Sequence, residues 1–125
     1  MKPYGTSKIK SIVNASLQDG VVGSILRTLY CASKGSLVNL TRALAVEWAQ
    51  YGIRVNAISP TFVINDDNES ALESSEVMAE IENGVLLKRA ATALEVAGGI
   101  CYLVSPVAAM VTGHNLMVDG GWTAK

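Results

Sequence analysis

The sequence predicts an α/β fold, in which parallel strands alternate with helices. Two short runs rich in β-branched residues, residues 12–15 and 53–58, are typical of buried strands. Between them, large apolar residues recur at the three- and four-residue spacing of one helix face: Leu37, Leu40, Leu44 and Trp48. A strand, a helix of about six turns and a second strand form a βαβ unit, which implies parallel pairing and a right-handed crossover.

Turn residues set the limits of these elements. The first strand runs into a polar loop that contains Gly20 and Gly23. Gly52 stands where the C-terminal cap of the helix belongs, and Pro60 closes the second strand.

Residues 61–85 differ in character because they hold seven of the eleven acidic residues and no Lys or Arg: Asp66, Asp67, Glu69, Glu73, Glu76, Glu80 and Glu82. A metal site is one interpretation. The carboxylates lack the spacing of a calcium-binding loop, however, and no His or Cys accompanies them. We therefore interpret this segment as a solvated helix and loop.

The last third of the sequence predicts one more helix and one more strand. Thr92 and Glu95 form a capping box, and Pro106 ends the helix that it opens. The predicted apolar face of this helix consists of Ile100, Leu103 and Val104. Residues 115–118 form the final strand, so we expect three parallel strands with helices between them.

Composition narrows the classes of function. Half of the residues are hydrophobic and 17% are charged, which is typical of a globular domain, and the net charge of -1 favours neither nucleic acid nor an anionic membrane as a partner. The most apolar stretch, residues 96–111, is shorter than the roughly 18 residues that span a bilayer, and Pro106 breaks it. Cys31 and Cys101 lie in apolar helical patterns and are predicted to be free thiols. We find no targeting segment and expect a cytoplasmic protein.

Tyr30 and Lys34 are the residues that could carry chemistry. They lie four apart near the start of the long helix, so both project from one face. A nearby ammonium and a helix N-terminus both favour a phenolate, which could exchange a proton with a carbonyl or a secondary alcohol. The spacing alone is weak, since it arises by chance in roughly one chain in four of this length. An ordinary amphipathic Tyr and Lys on a helix surface is the alternative.

Four segments, in order, resemble the short-chain dehydrogenase/reductase family, and together they run from about residue 11 to the C-terminus. Residues 11–14 resemble the strand that leads to the catalytic serine of the family. Residues 30–35 resemble its Tyr-x-Ala-Ser-Lys motif, and residues 52–60 the strand whose end contacts the nicotinamide. Thr112-Gly113 and residues 118–121 are similar to its closing strand.

This resemblance implies the C-terminal half of a Rossmann-like, doubly wound parallel sheet. It also implies an NAD- or NADP-dependent oxidoreductase that acts on a ketone or secondary alcohol. Tyr30 would be the acid/base, and Lys34 would favour the phenolate and bind the nicotinamide ribose. Pro60 and Val63 would complete the cofactor-binding residues, with no metal. The ending resembles sugar-acid, polyol and cyclic-alcohol dehydrogenases, which indicates a polar carbon chain as substrate.

Two departures from the family bear on activity. Leu17 stands thirteen residues before Tyr30, where the family has its catalytic serine, and Ser16 beside it would point to the other face of the strand. Losing such a donor typically costs on the order of 10²–10³ in rate. The sequence also has no glycine-rich turn to bind a pyrophosphate. We therefore expect one truncated domain over residues 1–125 that is inactive alone.

The competing hypothesis is a non-catalytic remnant, or an interaction module that associates with itself or with a full-length relative. Apolar surface left over on the long helix predicts a homo-oligomer. The remaining conspicuous residues are given structural roles: Asn56 as a buried amide, His114 as a loop residue, and Trp48 and Trp122 as core or interface residues.

Overall fold

The computed structural model describes residues 10–125. In chain order these residues form β1 (Ser11–Ala15), α1 (Thr28–Trp48), β2 (Arg54–Pro60), β3 (Val63–Ile64), α2 (Glu69–Leu72), α3 (Ser75–Gly84), β4 (Ala91–Thr92), α4 (Ala93–Val104) and β5 (Asn115–Val118). Short 3-10 turns lie at Gln18–Gly20, Ala49–Tyr51, Pro106–Ala108 and Trp122–Ala124.

The main sheet has three parallel strands in the order β1-β2-β5. Ile12 pairs with Val55 across the first ladder, and Ala57 pairs with Asn115 across the second. The three parallel strands predicted from the sequence are confirmed. Residues 55–60 of the central strand are all buried, as expected for a parallel strand that is covered on both faces.

Helices cover both faces of this sheet. The Ser11 hydroxyl donates to the Leu103 carbonyl of α4 at 3.2 Å, whereas the Asn14 side-chain amide donates to the Thr41 hydroxyl of α1 at 3.0 Å. Because side chains alternate along a strand, positions 11 and 14 point to opposite faces. The arrangement is therefore doubly wound, as the resemblance implied.

The long helix confirms the predicted cap, but its buried face differs from the prediction. Gly52 follows the 3-10 turn with φ +70°, a conformation that favours glycine. The side chains buried against the sheet are Val38, Thr41 and Ala45. The predicted stripe is rotated by about one residue from this face, and Leu40 in that stripe is 48% exposed. The side chains that α1 buries are smaller than those of the predicted stripe, which lets the helix pack close to the sheet. The larger side chains of the stripe lie at the border of the buried face.

In α4 the predicted capping box is confirmed, and the helix ends at Val104, just before the predicted stop. The predicted apolar face is only partly right. Leu103 is completely buried, but Ile100 and Val104 are 37% and 49% exposed. Nearly every residue of this helix is apolar or small, so periodicity could not indicate which side faces the sheet.

Arg54 ties the central strand to the end of α4. Its Nη1 donates to the carbonyls of Leu103 at 2.8 Å and Val111 at 3.1 Å, and its Nη2 to that of Ser105 at 3.3 Å. The last carbonyls of a helix carry partial negative charge, so a guanidinium there is favourable.

Residues 61–92 form a second region with its own small core. Ile81, Val85 and Ala90 are buried together, and partly buried apolar side chains pack on them: Phe62, Leu72, Val77 and Trp122. The strands β3 and β4 pair in parallel beside this core. This small sheet was missed from the sequence, because strands of two residues have no periodicity. Two short acidic helices, α2 and α3, stand where one helix and a loop were predicted.

Trp122 lies across α3, at Gly84. A Cβ at Gly84 would overlap the six-membered ring of Trp122, so only glycine permits this contact. The Phe62 ring lies 6.2 Å from that of Trp122, at 60°. Trp122 was predicted to be a core or interface residue, and it packs, partly buried, against this small core.

Among residues 10–125, no helix is long and apolar enough to cross a membrane. Cys31 and Cys101 are both free thiols, and Cys101 is exposed.

Candidate active site

The candidate site lies where β1 and β2 end and α1 begins. The Ser16 N–H donates to the Ile58 carbonyl at 2.8 Å, which keeps the two strand ends together. The Ser16 hydroxyl donates to the Lys34 carbonyl at 2.9 Å, so the first turns of α1 are held against the carboxyl end of β1. Ligands of open parallel sheets bind at this end.

Tyr30 and Lys34 are in the first two turns of α1. Tyr30 is 43% exposed, and the Lys34 Nζ lies 5.6 Å from the centre of its ring. The ring is therefore outside the packed core, with a cation beside it.

An open groove of about 760 Å³ lies in front of Tyr30. Its lining residues are Leu17, Leu26, Arg27, Thr28, Leu29 and Tyr30. Leu17 thus shares a groove with Tyr30, where the family resemblance placed a serine. Ser16 is 4% exposed, with its hydroxyl bonded to Lys34, so it does not take the place of that serine.

Pro60 lies at the end of β2 and Val63 just beyond it, and neither is among the residues that line the groove. Pro60 is the buried last residue of β2. The Val63 carbonyl accepts a hydrogen bond from the Asn68 side-chain amide at 2.8 Å. Between them, the Thr61 Oγ1 is buried and has no hydrogen-bond partner among residues 10–125. The structure brings Tyr30 and Lys34 together on α1, and it places Pro60 at the end of β2 with Val63 three residues further along the chain.

A charged network that the sequence analysis did not identify borders the groove. The Asp19 side chain is 1% exposed and accepts hydrogen bonds from the Ser24 hydroxyl at 2.8 Å and from Arg27 Nη1 at 3.4 Å. Arg27 Nη2 lies 3.9 Å from a Glu80 carboxylate oxygen of α3. No pattern in the sequence could reveal this network, because its members come from a turn, a loop and a distant helix.

Asn56 is structural, as predicted. It is completely buried, donates to the Val111 carbonyl at 2.9 Å and accepts from the His114 N–H at 3.0 Å. His114 is exposed in the loop before β5. The predicted roles of these two residues are confirmed.

An exposed ion pair, Arg89–Glu95, lies at the start of α4. Hydrogen bonds from Arg89, at 2.7 and 2.9 Å, and from the Thr92 N–H lower the pKa of the Glu95 carboxyl to about 2. The pKa of Arg89 is raised by the same hydrogen bond and charge. No group of three metal-ligating side chains occurs in the described part of the chain.

Comparison with known proteins identifies the family. The model of a family described as enoyl-(acyl carrier protein) reductase matches residues 1–123. The relatives below are dehydrogenases and reductases of the same broad group. The chain belongs to the short-chain dehydrogenase/reductase family.

Three relatives show the extent of the likeness. An NAD-dependent glycerol dehydrogenase of Listeria innocua is 40% identical over 114 residues, which is 91% of this chain and 44% of that protein. A structure of 4-hydroxyisoleucine dehydrogenase with NADH is 34% identical, with a TM-score of 0.86 over 92% of this chain and 47% of that one. ElxO with NADP bound is 32% identical, with a TM-score of 0.84 and the same coverage. The chain thus spans about half the length of these relatives.

Proposed function

We propose that this chain contains the catalytic residues of an NAD(P)-dependent oxidoreductase that interconverts a secondary alcohol and a ketone. Tyr30 is the acid/base, and Lys34 is its cationic partner. The observation that carries this proposal is the Tyr30–Lys34 pair itself: an exposed phenol with an ammonium 5.6 Å from its ring, at the carboxyl end of a parallel sheet.

The residues present fit the nicotinamide end of the cofactor. Lys34 offers a cation for ribose hydroxyls. The buried Thr61 hydroxyl, which lacks a partner among residues 10–125, marks a polar gap at the end of β2, where Pro60 and Val63 would meet the carboxamide. Because the Val63 carbonyl is already bonded to Asn68, we assign the Val63 N–H to this contact. NAD or NADP is the proposed cofactor, since the structural relatives contain NADH and NADP.

The cofactor, when bound, supplies or accepts the hydride. Tyr30 then gives the phenolic proton to the ketone oxygen during reduction, or takes the alcohol proton during oxidation. The Lys34 ammonium stabilises the phenolate that is left after reduction. Leu17 provides no hydrogen bond to the substrate oxygen. We therefore expect slow chemistry, and no turnover by the 125 residues without a phosphate-binding segment.

A chimera tests this proposal. Let this chain replace the matching part of the Listeria innocua glycerol dehydrogenase, and measure oxidation of secondary alcohols by NADH absorbance. Tyr30→Phe should reduce kcat by about 10²–10⁴ without changing the melting temperature. Tyr102→Phe, a matched control on α4 with 42% exposure, should leave kcat unchanged. Equal rates for Tyr30→Phe and the parent chimera would refute the assignment.

Self-association is the second candidate function, and the surface of α4 favours it. Apolar side chains on α4 and the turn after it are largely exposed: Leu94 at 81%, Tyr102 at 42%, Val107 at 84% and Met110 at 96%. Burial of apolar area contributes roughly 25 cal/mol per Å², so this face would gain from a partner. We propose a homo-oligomer in the cytoplasm, and the two free thiols support a reducing compartment. Sedimentation equilibrium should show a species larger than 13.2 kDa.

A further inference from the structure

We propose that the groove beside Tyr30 takes an uncharged secondary alcohol or ketone with an apolar carbon skeleton, and excludes polyols and carboxylates. This inference rests on the proposed function, because it names the substrate of the same site. It departs from the polar substrate that the sequence resemblance indicated.

The lining of the groove is the first argument. Three leucines and the Tyr30 ring form most of it, and two of these leucines are nearly fully exposed: Leu26 at 98% and Leu29 at 87%. An apolar ligand would remove this surface from water. A polyol would instead place several of its hydroxyls against the three leucines, which cannot bond them, and each unpaired polar group opposes binding.

The charge of the groove is the second argument. Arg27 is the one cationic residue among the lining residues. Its guanidinium faces Asp19 at 3.4 Å and Glu80 at 3.9 Å, so two negative charges already offset its single positive charge. With the Lys34 ammonium beside the Tyr30 ring, the nearby charges are two positive and two negative, so a carboxylate ligand would meet no net positive charge. The groove complements a ligand without charge.

The residue at position 17 is the third argument. A serine hydroxyl there would offer a hydrogen bond to a polar substrate, and Leu17 offers only apolar contact. Leu17 and Leu29 both line the groove with Tyr30, so the reacting oxygen can reach the phenol while the carbon chain contacts leucine.

The backbone at Leu26 is the fourth argument. Leu26 has φ +60°, which a residue with a Cβ adopts only at a cost. The Leu26 side chain at this strained position is almost entirely exposed to water beside the groove. Without a ligand it makes no buried apolar contact that would offset the cost of the backbone conformation. Contact with an apolar ligand gives the exposed side chain a function.

Three five-carbon probes test the substrate class in the full 125-residue chain without any nicotinamide cofactor. We would follow backbone amide NMR shifts while adding 2-pentanol, xylitol or glutarate. We expect 2-pentanol to shift Leu17 and residues 26–30 at millimolar concentration, and the other two to leave these signals unchanged. Equal shifts with xylitol or glutarate, shifts confined to α4, or a spectrum without dispersed amides would each overturn the proposal.

A pair of glycine variants sharpens the test. Leu26→Gly removes one apolar wall, and glycine adopts φ +60° freely, so the fold is retained. We expect it to raise the Kd of 2-pentanol about fivefold. The control is Lys88→Gly, at a residue with φ +58° outside the groove, which should leave the Kd unchanged. Equal Kd values for Leu26→Gly and the parent chain would contradict the inference. Since the measurement needs no cofactor and no turnover, its outcome is independent of whether Tyr30 is catalytic.

Discussion

The βαβ unit of β1, α1 and β2 and the region of residues 61–92 are built in different ways. The βαβ unit has long elements whose residues are neighbours in sequence, and its central strand is buried throughout. The second region has short acidic helices and a small core that is closed by Trp122, about 30 residues beyond its end. The structure of a long periodic element can be predicted from its own sequence. The core of the second region, in contrast, depends on the distant side chain of Trp122.

The largest effect is expected in the sheet. Leu103 is completely buried where α4 packs on β1 and β2, and Leu103→Ala should lower the free energy of unfolding by about 2–5 kcal/mol. Urea denaturation measures this. Val46→Ala, on α1 at 81% exposure and outside the proposed association surface, should change it by less than about 0.5 kcal/mol. Similar losses for both would mean that the sheet is not the stable part of the molecule.

A smaller effect is expected in the second region. Gly84→Ala adds a methyl group that would overlap the Trp122 ring, so the ring must shift. The variant should lower the free energy of unfolding by about 1–3 kcal/mol. Tryptophan fluorescence, to which Trp48 and Trp122 both contribute, and hydrogen exchange of α3 should change, while β1 and β2 stay protected. If β1 and β2 lose protection equally, the two regions unfold as one unit and the contrast between them fails.

Gly98→Ala is the matched control for that variant. A Cβ at Gly98, in the middle of α4, meets nothing within 4 Å. Alanine favours a helix over glycine by about 0.5–1 kcal/mol, so this variant should be more stable than the parent.

The smallest effect concerns pH. Because the pKa of Glu95 is lowered to about 2 in the folded chain, its carboxylate contributes stability above its unfolded pKa of about 4.5 and loses it as the pH falls toward 2. Glu95 is exposed, so solvent keeps the contribution small. Unfolding of wild type and Glu95→Gln should show a difference at pH 6 that is mostly lost at pH 2. A Glu95 carboxyl that titrates near 4.5 by NMR would contradict the pairing with Arg89.

The sequence predicted those parts of the fold that local chemistry determines. The capping box at Thr92, the glycine cap at Gly52 and the final strand are each fixed by a few adjacent residues. The buried face of α1 could not be predicted correctly, because Thr41 is buried through its bond to Asn14, on another element. Likewise, nothing near Gly84 in the sequence indicates a tryptophan ring against it.

For the candidate site, the sequence supplied the residues and the structure supplied their surroundings. Tyr30, Lys34 and Leu17 follow from motif positions, and their roles stay predictions until the variants are measured. The Asp19–Arg27–Glu80 network depends on three elements that meet only after folding. Without it, the charge of the groove could not be known from sequence.

The contacts of Arg54 have a consequence during protein synthesis. Its guanidinium binds carbonyls that lie 49 to 57 residues later in the chain, and β2 pairs with the last strand on one side. As the nascent chain leaves the ribosome, β1, α1 and β2 emerge first but one edge of the central strand stays open. That edge closes only when residues 115–118 emerge, so β2 stays unpaired on one side until β5 has been synthesised.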